Sequence, residues 1–165
     1  MKISLLMNFS VDKKNKQIIV EKEFAAPLSK VWSAWTESQL LDQWWAPKPW
    51  KAKTKKMDFK EGGSWLYAMV GPEGQEHWAK AEFKSVQPSK RFSAQDAFCD
   101  KDGNIDTTMP VGFWKVEFQK VSHSTVVSIE IKYDELADLE KIMETGFKEG
   151  FTAALENLDK LISQP

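Results

Sequence analysis

At 165 residues with a net charge of −1, the chain has the size of one domain and offers no electrostatic case for nucleic acid. No run approaches the ~20 apolar residues that span a bilayer. The one cysteine, Cys99, excludes an internal disulfide and fits a reducing, cytoplasmic setting.

Residues 1–16 read as an N-terminal extension to a single domain, 1–165, whose core covers about 17–163. The first nine residues are briefly apolar but have no small-residue cleavage site, so no secretory signal is expected. Met1 and Met7 are both candidate translation starts. Residues 17–24 alternate as a strand, with Ile18, Val20 and Phe24 on one side. Pro27 then opens a helix at the first helical position, with an apolar stripe of Leu28, Val31, Trp32 and Trp35. Thr36 and Gln39 fit a capping box, which predicts a second short helix. It carries Leu40, Leu41, Trp44 and Trp45 and is stopped by Pro47 and Pro49.

Residues 50–59 form the second predicted strand. Its Lys51, Lys53, Lys55 and Lys56 read as a solvated face or a lysine-guarded edge, not a nucleic-acid site. Gly62-Gly63 ends it. The third strand covers 64–70, and the turn Gly71-Pro72-Glu73-Gly74 joins it in a hairpin to the fourth, about 75–86. Gln87-Pro88-Ser89-Lys90 turns into the fifth, 91–98, and a polar loop from 100 to 104 follows. Trp114, Val116 and Phe118 mark the sixth strand; Val127, Ile129, Ile131 and Tyr133 mark the seventh. A helix over about 135–162 closes the chain, with Asp134 as its N-cap. Leu139, Met143, Gly146, Phe147, Gly150, Ala154 and Leu158 line one face of it. The two glycines cost about 1 kcal/mol each, which makes sense if this helix approaches the sheet closely or opens space beneath it.

The order β-α-α-β-β-β-β-β-β-α predicts an α+β fold: a twisted, curved antiparallel sheet holding the last helix, with a cavity between them. Trp65, Tyr67 and Met69 alternate on the third strand, and His77, Ala79, Ala81 and Phe83 on the fourth. Small residues opposite large ones leave room, where a packed core would use Val, Ile and Leu. Pairing Phe83 with Ala94 sets Asp96 opposite Ala81, inward, and His77 near Met69. The expected lining is therefore Trp65, Tyr67, Met69, His77, Ala79, Ala81, Phe83, Phe92, Asp96, Trp114, Met143 and Phe147. Each of the eight tryptophans, taken singly, is more simply a core ring than a site.

Few titratable groups face this space: His77, Asp96, Tyr67 and, at the mouth, Glu76. A histidine near a carboxylate suits general acid–base work. His77 and Asp96 are offset by a strand and several residues, however, and each is more simply satisfied by backbone or water. His123 sits in a turn. Two distant histidines and one cysteine give no metal spacing, and the glycine pairs join strands instead of opening helices, so no phosphate loop is present. Asp100 beside Cys99 raises the thiol pKa, against a catalytic thiol. No catalytic residue, metal or cofactor is expected.

Glu23-Phe24-Ala25-Ala26-Pro27, Val31-Trp32, Trp35, the Trp44-Trp45 pair before Pro47, the hairpin from Gly62-Gly63 through Gly74, and Gly146 to Phe151 with Leu155 and Leu158 together form a pattern. It resembles the activator-of-heat-shock-protein-90-ATPase-homologue-like family of the START-like (SRPBCC) superfamily. The resemblance covers about residues 18–162. It implies the helix-grip, birch-pollen-allergen-like fold and a hydrophobic cavity. The additional N-terminal domain of the true co-chaperone is not seen in this sequence. Three functions follow as expectations. The first is a non-enzymatic module, monomer or weak dimer, binding a small hydrophobic or aromatic molecule. The second is a cyclase- or hydrolase-like enzyme using His77 and Asp96. The third is a stress-response domain docking on a chaperone partner through a patch around Trp44, Trp45 and Trp50.

Overall fold

The computed structural model describes residues 5–163. Eight strands form one sheet: β1 (Met7–Asp12), β2 (Gln17–Phe24), β3 (Lys51–Met57), β4 (Ser64–Val70), β5 (Glu76–Gln87), β6 (Arg91–Cys99), β7 (Gly112–Val121) and β8 (Ser124–Lys132). Their spatial order is β1-β2-β8-β7-β6-β5-β4-β3, every neighbouring pair antiparallel. The sheet curves around the helical layer of α1 (Leu28–Thr36), α2 (Ser38–Trp44), α3 (Leu136–Glu144) and α4 (Phe147–Ile162).

The eighth strand is β1, which the sequence pattern assigned to an extension. Its six residues pair along β2 from Met7↔Lys22 to Asp12↔Gln17. Met7, Phe9 and Val11 alternate with Asn8, Ser10 and Asp12 and are partly buried against the core, a short period-two signal at the start of the chain, and pairing with β2 adds backbone hydrogen bonds to that packing. Met1 lies outside the described residues. At the opposite edge, Lys51, Lys53, Lys55 and Lys56 of β3 are all exposed, the lysine guard expected of an unpaired strand.

The helix ends depart from the sequence reading in three places. Pro27 caps α1 from outside, with extended ψ of 153°, instead of occupying its first turn. Thr36 forms no capping box: its hydroxyl donates back to the Trp32 carbonyl at 2.9 Å, and Glu37 serves both helices as the non-helical joint. The closing helix is two helices. Glu135, not Asp134, stands at the start of α3, and the chain breaks at Thr145-Gly146, where Gly146 has φ +85°. That left-handed conformation is open to glycine at little cost, so Gly146 marks a corner and not a tolerated defect in a continuous helix. Gly150 does lie within α4, and a Cβ there would sit 3.7 Å from Pro47, an ordinary contact.

The break resets the helical phase. α3 buries Leu139 and Ile142, while α4 buries Phe151, Ala154, Leu155, Leu158 and Ile162. Across the sheet, Val20, Val116, Val127, Ile129 and Ile131 are fully buried against them. Trp44 is also fully buried, its indole N–H donating to the Ala34 carbonyl at 2.9 Å, and Trp35 packs edge-on against it with ring centroids 4.9 Å apart.

Candidate functional site: a cavity beneath the C-terminal helices

Strand register builds the site. Trp65 pairs with Ala81, Tyr67 with Ala79 and Met69 with His77. Ala81 pairs with Asp96 and Phe83 with Ala94. Alanines on β5 thus lie between the aromatic side chains of β4 and the carboxyl of β6, and the space above them is not filled. The result is a cavity of about 270 Å³ between the sheet and α3–α4. Tyr67, Met69, His77, Ala79, Asp96, Trp114 and Phe147, all expected in the lining, are found there.

A second space of about 40 Å³ lies against Trp65, Ala81, Phe83 and Phe92 and shares Trp45, Tyr67, Asp96 and Trp114 with the first. It has room for little more than a water molecule. The expected wall therefore divides between a main cavity and a small annex. Met143 lines neither: it packs, partly buried, against the core, and Ile142 faces the main cavity in its place. The assumption of one continuous helix caused that error, because the corner at Gly146 rotates α3 relative to α4.

The aromatic wall is held from behind. Asp42 on α2 accepts from both the backbone N–H and the hydroxyl of Thr54, at 2.9 and 2.6 Å. Thr54 Oγ1 in turn accepts from the Trp65 indole at 2.9 Å. Trp65 stacks on Tyr67 with centroids 4.0 Å apart, and the Trp45 indole donates to the Tyr67 hydroxyl at 3.0 Å. Rings tied at both edge and face keep their rotamers, so the cavity's shape is largely fixed before anything enters.

The lining also holds residues that the sequence pattern did not place there, Trp45, Tyr133 and Phe151 among them. Tyr133 continues the Ile129-Ile131 alternation by one step. Trp45 neighbours Trp44 at the end of a helix, where successive side chains point about 100° apart. One ring therefore enters the core while the other turns to the cavity.

Asp96 is the carboxyl group of the cavity. Burial pushes its pKa from the ordinary 3.8 up to about 7. Burial also holds the Tyr67 hydroxyl well above its usual range, with the Asp96 charge adding to it and the Trp45 hydrogen bond opposing. Tyr133 is raised by burial and then by Asp96 and Asp138. Cys99 is likewise raised, by burial first and then by Asp100. His77 sits at the mouth, exposed, with its ring 5.1 Å from that of Trp50. No hydrogen bond or ion pair among the described residues joins it to Asp96, in keeping with the offset of a strand and several residues between them. Among the described residues no three His, Cys, Asp or Glu side chains cluster as metal ligands, and no helix is long and apolar enough to cross a membrane. Of the three tryptophans considered for a chaperone patch, Trp44 is wholly buried and Trp45 and Trp50 are partly buried.

A curved antiparallel sheet closed over C-terminal helices, with a cavity between the layers, defines a helix-grip, START-like protein. Residues 25–163 match the family described as Activator of Hsp90 ATPase homolog 1-like protein, and the chain belongs to that family. Solved structures agree in fold. A Mycobacterium smegmatis protein is 25% identical, with a TM-score of 0.89 over 98% of this chain and 99% of its own. An Arthrobacter aurescens protein is 25% identical, with a TM-score of 0.90 over 96% of this chain and 92% of its own. The AHSA1 protein of Silicibacter pomeroyi, at 19% identity, superposes with a TM-score of 0.72 over 89% of this chain and 97% of its own. No curated protein matches the sequence.

Proposed function

We propose that the chain is a non-catalytic binding module that takes a small hydrophobic or aromatic molecule into the cavity between the sheet and α3–α4. One observation carries this reading: an open interior space of about 270 Å³, walled by aromatic rings and containing a single carboxyl group. That size approaches the range of small-molecule sites, and one polar group among apolar walls is how such sites orient a ligand. No hydrogen bond or ion pair among the described residues joins His77 to Asp96, which gives the enzyme reading no assembled acid–base pair to stand on. The family's description speaks of a chaperone ATPase activator, but Trp44, the first residue considered for a docking patch, is buried and adds no surface to one.

The test is a thermal-shift screen of small aromatic and alicyclic compounds, followed by amide NMR of the hits. Perturbations should centre on Ala79, Asp96 and Phe147. A screen with no hits, or hits whose perturbations all fall on the outer face of β3, would end the proposal.

A further inference from the structure

Asp96 lines a largely apolar cavity. Among the described residues, no side chain or backbone group donates a hydrogen bond to its carboxyl, and no Lys or Arg forms an ion pair with it. The cavity's other titratable groups are Tyr67 on β4, His77 at the mouth on β5, and Tyr133 after β8. Cys99, further along β6, is close enough to feel the Asp96 charge. None of these supplies a fixed positive charge inside the cavity. The indole N–H of Trp45, in the cavity wall, is already spent on the Tyr67 oxygen. The remaining walls are largely apolar and include the rings of Trp45, Trp114, Phe147 and Phe151. A carboxylate desolvated without a partner is unfavourable and is relieved by a cation. Aromatic rings around a carboxylate are surroundings that a cation also favours, through attraction to their π-faces.

We infer that the cavity's ligand is an organic amine, bound as its ammonium ion against the Asp96 carboxylate, with its apolar portion between Trp114 and Phe147. The inference rests on the cavity reading above and narrows it to a ligand class. It carries a proton linkage. Only ionised Asp96 pairs with the ammonium, so binding strengthens as pH rises through about 7. About one tenth of the carboxyl is ionised at pH 6 and about nine tenths at pH 8, which predicts about a tenfold gain in affinity between them. The amine itself stays protonated over that interval.

Isothermal titration of the full chain with phenethylamine, 2-phenylethanol and 3-phenylpropionate at both pH values tests this. Phenethylamine should bind most tightly, gain about tenfold from pH 6 to pH 8, and release a fraction of a proton at neutral pH. Asp96→Asn should remove both the preference and the pH dependence. If the alcohol or the carboxylate binds as well as the amine, or if D96N keeps the preference, the amine assignment fails while the cavity reading stands. If none of the three binds and the wider aromatic screen is also empty, both fall.

Discussion

Replacing Asp96 with asparagine isolates the cost of placing a carboxyl group in this cavity. The native pKa of about 7, against an ordinary 3.8, corresponds to about 4 kcal/mol of destabilisation once the group is ionised in both states. Below pH about 4 the folded and unfolded chains both hold the proton, and the cost is absent. Between about 4 and 7 only the folded chain holds it, so stability falls as pH rises; above 7 the full cost applies. Asparagine has its own desolvation cost, but that cost does not change with pH. The stability difference between D96N and the parent should therefore grow by about 3 kcal/mol from pH 5 to pH 8, whatever its value at either end. Urea unfolding at the two pH values, read by tryptophan fluorescence, measures this directly. A difference that stays constant within about 0.5 kcal/mol would refute the reasoning, because it would mean that Asp96 titrates alike in the folded and unfolded chains.

Three further substitutions test other parts of the site. Ala79→Leu places three carbons into existing space, so stability should change by less than about 1 kcal/mol in urea while probe binding is lost. Gly146→Ala forces a side chain into φ +85° and should cost about 1 kcal/mol, seen as a lower unfolding midpoint with an unchanged denaturant slope. Thr54→Val deprives the Trp65 indole of its acceptor and Asp42 of a donor; about 1–3 kcal/mol of thermal stability should go with it.

Local chemistry made most of the sheet legible before any coordinates. The Gly71–Gly74 turn sets the β4–β5 register, and the alternation of β5 and β6 then has one inward solution, which places Asp96 opposite Ala81 as observed. The features that escaped are those decided by tertiary partners. β1 is short: Met7, Phe9 and Val11 alternate as a strand should, but six residues without a partner in view do not make a strand until β2 offers its edge. The corner at Gly146 has the same residues as a helix that merely tolerates glycine, and only the packing of α3 and α4 separates the two. From that corner follows the exchange of Met143 for Ile142, whereas Phe151 stands one turn after Phe147 on the same face of α4 and was legible from helical spacing alone. The capping box at Thr36 failed for a related reason. A threonine hydroxyl can cap the next helix or bond back into its own, and the backbone direction at Glu37 made that choice.

Trp45 decides how much of the interior a ligand reaches. It lines both the main cavity and the small annex, with its ring 5.3 Å from Trp65, 5.9 Å from Trp114 and 6.0 Å from Phe151. Removing the indole by Trp45→Ala takes away this partition and releases the Tyr67 hydroxyl, whose orientation depends on the Trp45 N–H at 3.0 Å. The expected cost is about 3 kcal/mol, at the low end for a large-to-small change because Trp45 is only partly buried and one side already faces open space. The gain is volume. The joined space should accept a three-ring aromatic probe that the parent excludes, while a single-ring probe loses affinity for want of contacts. Paired titrations of both probes against parent and variant give a ratio of ratios from which the overall loss of stability cancels. If that ratio does not shift toward the larger probe, Trp45 is not the partition between the two spaces.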